Sequence, residues 1–410
     1  MNGQTGSHDI VIVGGGMVGT CLALALAPLP LRIAVVEAVA RKDVEQPSFD
    51  DRSTALSRST QRMFEAMGLW DDVSAASAPI TRIHVSDRGR FGFSHIDAEE
   101  QGVAALGYVV INRVLGEVLQ SRLEACANVD LICPASVERA DLGPTSARVS
   151  ITVGGRTTEL SGQLLVAADG ANSSVREMMG ISAQRRDYEQ SAVIGNLLTE
   201  IELNQRAFER FTRQGPLAIL PVAEGRAAFV WTVSSGDAAR VLALDDLRFL
   251  AELQEQFGHR LGRFSRVGKR VAYPLALSKA LRLTAARSVL IGNAAHGLHP
   301  VSAQGFNLGM RDVAALCDCI ADALRDSVDV GSATVLERYS EWRHPDHRKL
   351  VQFTDKLVSL FGSRRADLGV LRNIGMIGFD LIPGVRRTFA KHTMGLAGEL
   401  PRLCRGVPIP

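Results

Sequence analysis

The sequence predicts an α/β fold: a parallel sheet opened by a strand–turn–helix unit, an interleaved antiparallel sheet, and a helical region at the carboxyl end. Three observations carry that expectation. A β-branched run, Asp9 to Val13, leads into glycines at Gly14, Gly16 and Gly19, and an Ala/Leu-rich stretch from Thr20 to Ala27 follows. Two more apolar strands, Leu164 to Ala167 and Val289 to Ile291, each end in a short turn, Asp169-Gly170 and Gly292-Asn293, ahead of a helical pattern. Between residues 190 and 235 the period changes to the alternation of antiparallel strands.

The first unit has the Gly-x-Gly-x-x-Gly spacing of a dinucleotide site, and each glycine has a physical task. Gly14 permits the turn, Gly16 lets the backbone approach a pyrophosphate, and Gly19 lets helix and strand pack closely. The helix start offers unpaired N–H groups and partial positive charge to phosphate. Pro28 and Pro30 end the helix, and the next strand, Arg32 to Val36, finishes at Glu37. A carboxylate there is placed to accept hydrogen bonds from an adenosine ribose.

With 410 residues, the chain has room for two closely packed domains. Its net charge of +2 is too small to imply a nucleic-acid partner. No uninterrupted apolar run is long enough to span a bilayer, and the polar start, Met1 to His8, does not read as a signal peptide. Cys21, Cys126, Cys133, Cys317, Cys319 and Cys404 lack zinc or redox spacing, so reduced thiols in a cytoplasmic protein are expected.

Residues 38 to 54 read as a loop carrying Arg52, either a solvated charge or a cofactor contact. Ser59 to Met67 reads as a helix stopped by Gly68. Ile80 to Val85 and Phe91 to Ile96 read as strands. Tyr108 to Ile111 feeds a helix, Asn112 to Ala125, whose first turn holds Arg113 against the helix dipole. Val129 to Ile132, Ala147 to Val153 and Thr157 to Leu160 read as strands. Ala192 to Leu203, Phe208 to Arg213 and Leu217 to Val233 form the alternating layer, with a turn at Glu224-Gly225-Arg226. Leu244 to Phe257 reads as a helix and Arg270 to Leu277 as a strand.

The stretch from Val289 to Asp312 supplies a strand, the Gly292-Asn293 turn, a loop with Pro300, and a helix starting near Gln304-Gly305 and running to about Leu324. His296 and His299 lie on that loop without a third metal ligand, so residues lining a site or satisfied by neighbours are the expected role. After it, Leu350 to Phe361 has one apolar helical face, and residues 362 to 410 are rich in arginine. That tail reads either as a helical cap on the core or as a peripheral membrane or partner surface.

Gly14-x-Gly16-x-x-Gly19, Asp169-Gly170, and Gly292-Asn293-Ala294-Ala295-His296 with Pro300 and Gln304-Gly305-x-Asn307-x-Gly309 occur in a fixed order. Together they resemble the FAD-dependent aromatic monooxygenases of the p-hydroxybenzoate hydroxylase type. Within that group, Leu298-His299-Pro300, Gln304 to Val313, and Asp51-Arg52 with Ala55-Leu56 are most similar to the ubiquinone-biosynthesis hydroxylases, especially those acting on 2-polyprenyl-6-methoxyphenol. The resemblance implies a Rossmann-like FAD-binding domain assembled from residues 1–79, 107–185 and 279–345. Residues 80–106 and 186–278 would form the substrate sheet, and 346–410 a carboxyl-terminal helical region.

It further implies that Gly14, Gly15, Gly16, Met17, Val18 and Gly19 bind FAD, with Glu37 on the ribose. Arg52 and Arg113 would lie along the pyrophosphate and ribityl chain, and Asp169 and Gly170 near the pyrophosphate. Asn293 would meet the ribityl chain, and Gln304, Gly305, Phe306 and Asn307 would bring a helix start to the flavin. Val137 and Pro300 complete the expected cofactor contacts. Most of the family has Asp where this chain has Asn293; an amide oxygen still accepts a hydrogen bond, without charge.

The implied reaction is oxygen transfer from a flavin hydroperoxide to a polyprenylated phenol, with NAD(P)H as reductant. No second glycine fingerprint points to a separate nicotinamide domain. The alternatives are a hydroxylase of a small soluble aromatic and a non-catalytic FAD-binding subunit of a biosynthetic complex. A halogenase is disfavoured, because Trp70, Trp231 and Trp342 do not form its Trp-x-Trp-x-Ile-Pro signature.

Overall fold

Strands Ile10–Val13, Ile33–Val36 and Leu164–Ala167 are buried along their whole length, as unbroken apolar runs require when both faces of a parallel sheet are covered. The computed structural model describes residues 6–40, 52–89, 92–297, 304–362 and 383–410. In it, these strands form the middle of a six-stranded sheet in the order Thr284–Ala285, Ser288–Leu290, Leu164–Ala167, Ile10–Val13, Ile33–Val36, Val129–Ile132. All neighbours are parallel except the first pair. Parallel strands need crossovers, and helix Met17–Leu26 is the first of them. That helix packs against helices Asn112–Glu124 and Gln304–Arg325 on one face of the sheet.

On the other side of strand Ile10–Val13, a four-stranded sheet of Gly6–Ser7, Arg156–Gly162, Ala147–Val153 and Ser136–Leu142 closes the core. A three-stranded sheet, Ser53–Ser57, Gly107–Ile111 and Ser77–Ile80, leads to the largest layer. This nine-stranded sheet runs His296–Gly297, Val271–Ala280, Ala183–Thr199, Ala227–Ser234, Gly215–Pro221, Arg206–Thr212, Arg82–Asp87, Phe93–Asp97, with Phe264–Val267 also paired to Ala183–Thr199. Helix Asp246–Phe257 covers one face through Phe249, Leu253 and Phe257.

The mixed α/β architecture agrees with the sequence expectation, and several elements extend it. Strand Ser53–Ser57 begins inside the expected loop, at Ser53 and Thr54, because it pairs with Gly107–Ile111, from Ser53 opposite Ile111 to Ser57 opposite Gly107. Ser136–Leu142 is a strand of largely polar residues on a sheet edge, where half-exposed positions do not alternate cleanly. Short helices Trp70–Ser74 and Ser235–Leu242 also appear. The last long helix runs Ala333–Gly362, beginning well before Leu350 and passing through Pro345.

Candidate active site

The three sequence motifs meet at the carboxyl ends of adjacent parallel strands, the edge where open α/β sheets bind ligands. Val13, Ala167 and Leu290 are in register across the sheet, so Gly14, Ala168 and Ile291 leave it side by side. Gly14 has φ +104°, and a Cβ there would stand 2.5 Å from the Ala168 carbonyl oxygen. A Cβ on Gly19 would stand 1.9 Å from the Gly14 carbonyl oxygen. These two glycines are thus required by close backbone approach as well as by any ligand.

Helix Met17–Leu26 begins without a side-chain cap and without an acidic residue in its first turn. Its leading N–H groups are open to an anion. The Glu37 carboxylate accepts the Gly15 N–H at 2.7 Å and the Val39 N–H at 2.8 Å. Asp169 accepts the Val175 N–H through Oδ2 at 3.1 Å, while its Oδ1 is buried with no partner among the described residues. Val137 packs against the central core, two residues beyond Ala135, whose N–H bonds the Glu37 carbonyl at 2.8 Å.

The Arg52 carbonyl accepts the Asn112 N–H at 2.8 Å, which brings the backbones of Arg52 and Arg113 together. Their side chains diverge. The Arg52 guanidinium lies 4.6 Å above the Tyr273 ring, whereas exposed Arg113 pairs with Glu117 at 3.3 Å. Asn293 is exposed at the end of its turn, and Gly305 and Phe306 are half-buried. Val18 is the meeting point: a Cβ on Gly292 or Gly309 would stand 3.1 Å or 3.2 Å from its methyl groups. Pro300 and His299 lie outside the described residues.

Asn307 has a structural task. Its Nδ2 donates to the Ala55 carbonyl, and its Oδ1 accepts from the Ser57 N–H and the Thr60 hydroxyl, each at 2.8 Å. This clamps the helix start to strand Ser53–Ser57. Buried Gln304 donates to the Thr393 carbonyl at 3.2 Å, tying down helix Pro383–Thr393. Arg402 extends the same docking to Asp318 and Asp322. The described part of the tail, residues 383–410, therefore caps helices Gln304–Arg325 and Arg58–Ala66. Residues 363–382 lie outside the described set.

Sequence reasoning missed a buried ionic hub beneath the Gly292 turn. Asp312 is fully buried and accepts from four donors. Its Oδ2 takes the Gly292 N–H at 3.1 Å and His296 Nε2 at 3.0 Å; its Oδ1 takes Arg343 Nε at 2.8 Å and His347 Nε2 at 2.6 Å. Arg343 reaches on to Asp346 at 2.5 Å. Here His296 finds the companions its loop lacked, since His296, Asp312 and His347 lie within metal-ligating distance of one another. The donors are already committed to the carboxylate, however, and Arg343 stands beside it, so the set is built as a hydrogen-bonded hub. Burial alone would raise the Asp312 carboxyl, but the facing His347 and Arg343 and the donated hydrogen bonds hold it well below the usual range.

Burial, only partly opposed by Asp312, brings His347 down to about 4, so it is neutral in the folded protein. An unfolded histidine titrates at about 6.5. As pH falls from about 6.5 to about 4, the unfolded state binds the proton first, and stability is lost through that window. The full displacement is worth about 3 kcal/mol. Urea denaturation across this range is expected to show the loss, and His347→Gln is expected to remove its share, leaving that of His84, which burial also brings down to about 4. An equal loss in the variant would rule His347 out as the cause.

The comparisons with known proteins agree with this geometry. Residues 7–354 match the family model described as FAD binding domain. The ubiquinone hydroxylase UbiL of Rhodospirillum rubrum is 38% identical over 98% of this chain and 93% of its own. The 3-demethoxyubiquinol 3-hydroxylase of Escherichia coli is 32% identical over 95% of this chain and 98% of its own. Among solved structures, p-nitrophenol 4-monooxygenase PnpA from Pseudomonas putida superposes with a TM-score of 0.80, covering 96% of this chain and all of that one at 18% identity, which speaks for the fold. The glycine turn, the uncapped helix start and the unpartnered Asp169 oxygen fit FAD, with NAD(P)H as the reductant of such enzymes. The chain belongs to the FAD-binding family of aromatic monooxygenases, in the branch that holds the ubiquinone hydroxylases.

Proposed function

We propose that this enzyme hydroxylates the aromatic ring of a polyprenylated phenol on the route to ubiquinone. The observation that carries this reading is the similarity of the chain, over 98% of its length, to a ubiquinone hydroxylase. The sheet face that looks away from helix Asp246–Phe257 supports it. Ala192, Ile194, Ala218, Leu220, Ala228 and Val230 fall on that face by register, a surface suited to an apolar ring and chain.

In this reading, Gly14 to Gly19 and Asp169-Gly170 hold the FAD pyrophosphate, and Glu37 binds the ribose. Arg52 and Asn293 lie along the ribityl chain, and the start of helix Gln304–Arg325 offers N–H groups to negative charge on the ring. FAD, when bound, supplies the activation of oxygen. The protein orients the phenol over the cofactor, and the apolar face keeps water from the reacting atoms.

A visible spectrum, followed by anaerobic NADPH addition with and without a phenol carrying one short prenyl chain, tests the reading. Faster bleaching with the phenol is expected, and hydroxylated product once air is admitted. A flavin that binds but is reduced equally slowly with and without the phenol, and yields no product, would defeat it.

A further inference from the structure

Strand Arg206–Thr212 places its alternate residues in different environments. Phe208 packs in the cluster under helix Asp246–Phe257, while Ala207 packs with Ile80, Val109, Val222 and Ala228 on the opposite face. Glu209 shares the side of Ala207. Its cross-strand neighbours there are Val85 and Ala218, and the next residue across is Val230. A carboxyl thus stands in an apolar surface. It is half-buried, so solvent-sized molecules reach it, and no hydrogen bond or ion pair to it is present among the described residues.

This face is the one turned toward the cofactor elements. Ala55, part of the Ala207 cluster, lies on strand Ser53–Ser57, and its carbonyl is the group that Asn307 holds. Tyr273 pairs with Ala192, a residue of the same face, and carries the Arg52 guanidinium.

We propose that Glu209 is the catalytic base that accepts the proton of the phenol hydroxyl in the reaction proposed above. The phenol O–H bond breaks, an O–H bond forms on the Glu209 carboxylate, and the electron pair stays on the phenolate oxygen. That charge raises electron density on the ring where oxygen is to be added. The proton returns to the phenolate oxygen in the product, so the carboxylate is regenerated.

Burial supports this role by pushing the Glu209 carboxyl up to about 7, where a base is both available and strong enough at neutral pH. No charged neighbour contributes to that rise. Asp87, one pleat beyond Val85, is the other ionisable residue on this face of the adjoining strands. Helix Ala333–Gly362 also touches strands Arg206–Thr212 and Gly215–Pro221, and its last turns carry Asp355 and Lys356 in sequence.

The inference rests on the proposed hydroxylation, and the test separates the two. Holoenzyme and Glu209→Gln are compared with a phenol bearing one prenyl chain, monitoring kcat/KM against pH and the protonated-carboxyl infrared band on phenol binding. FAD absorbance and melting temperature serve as folding controls. The wild type is expected to gain activity as pH rises through about 7. The variant is expected to lose that limb, to fall by about 10²-fold or more, and to lack the carboxyl band that phenol binding adds to wild type. Glu209→Asp should keep the limb at reduced rate. A Glu209→Gln enzyme within about threefold of wild type with the same limb, or a wild type in which phenol binding adds no carboxyl band, overturns the assignment. A wild type that does not hydroxylate the phenol at all overturns the function itself, an outcome distinct from either.

Discussion

Asp312→Ala is expected to destabilise the folded protein by about 3–5 kcal/mol, enough to lose most of the holoenzyme. The carboxylate balances Arg343, whose side chain is only 1% exposed, and it accepts from Nε2 of both His296 and His347. Among the described residues, removing it leaves a guanidinium in the interior with Asp346 as its remaining counter-charge and with Nη2 still unpartnered. It also frees the Gly292 N–H, the group that fixes the turn before Asn293. FAD retention should therefore fall together with stability. Asp312→Asn tests the charge at nearly constant shape. Its amide keeps one acceptor but turns an NH₂ toward N–H donors, so about 2–3 kcal/mol is expected. Urea denaturation with flavin absorbance as a second probe measures both variants. A loss below about 1 kcal/mol for the alanine variant would show that the hub is dispensable.

What was legible in the sequence was what short-range chemistry dictates. Gly14, Gly16 and Gly19 follow an apolar strand directly, and Gly292-Asn293 and Asp169-Gly170 do the same, so strand, turn and helix could be read within about twenty residues. The hub was not legible, because its members are brought together by the fold. Asp312 meets Arg343 and His347 across 31 and 35 residues, and its own motif shows only one charge beside Arg311. Arg343 and His347 share a helical face, yet Pro345 between them reads as a breaker. Strand Ser53–Ser57 was hidden for a similar reason: its partner Gly107–Ile111 lies beyond two α-helices and three strands. Glu209 looks like the polar position of an alternating strand, and only the two clusters on either face show that its side is not solvent. His296, expected to line a site or be satisfied by neighbours, is held through Nε2 by Asp312, while its Nδ1 is buried without a hydrogen-bond partner among the described residues.

Gly19→Ala is expected to abolish stable FAD binding, by a mechanism separate from the loss of any contact to the cofactor. The new Cβ would stand 1.9 Å from the Gly14 carbonyl oxygen and 3.3 Å from the Ala168 side chain. The first obstacle is backbone, so no rotamer change relieves it. Helix Met17–Leu26 must move away from strand Ile10–Val13, taking its open N–H groups away from the glycine turn. The same helix packs on helix Gln304–Arg325 through a core that has no slack: Cys21, Leu22 and Leu26 are fully buried. A shift there costs packing as well as ligand geometry, about 2–4 kcal/mol in all. Gly236→Ala is the matched control, since a Cβ at Gly236 meets nothing within 4 Å and the residue lies in helix Ser235–Leu242. There alanine is expected to be neutral or to stabilise by up to about 1 kcal/mol. Flavin content after gel filtration and melting temperature distinguish the two. A Gly19→Ala protein that keeps its flavin and its melting temperature would mean that helix and strand have room to separate, and that the third glycine is not needed for their packing.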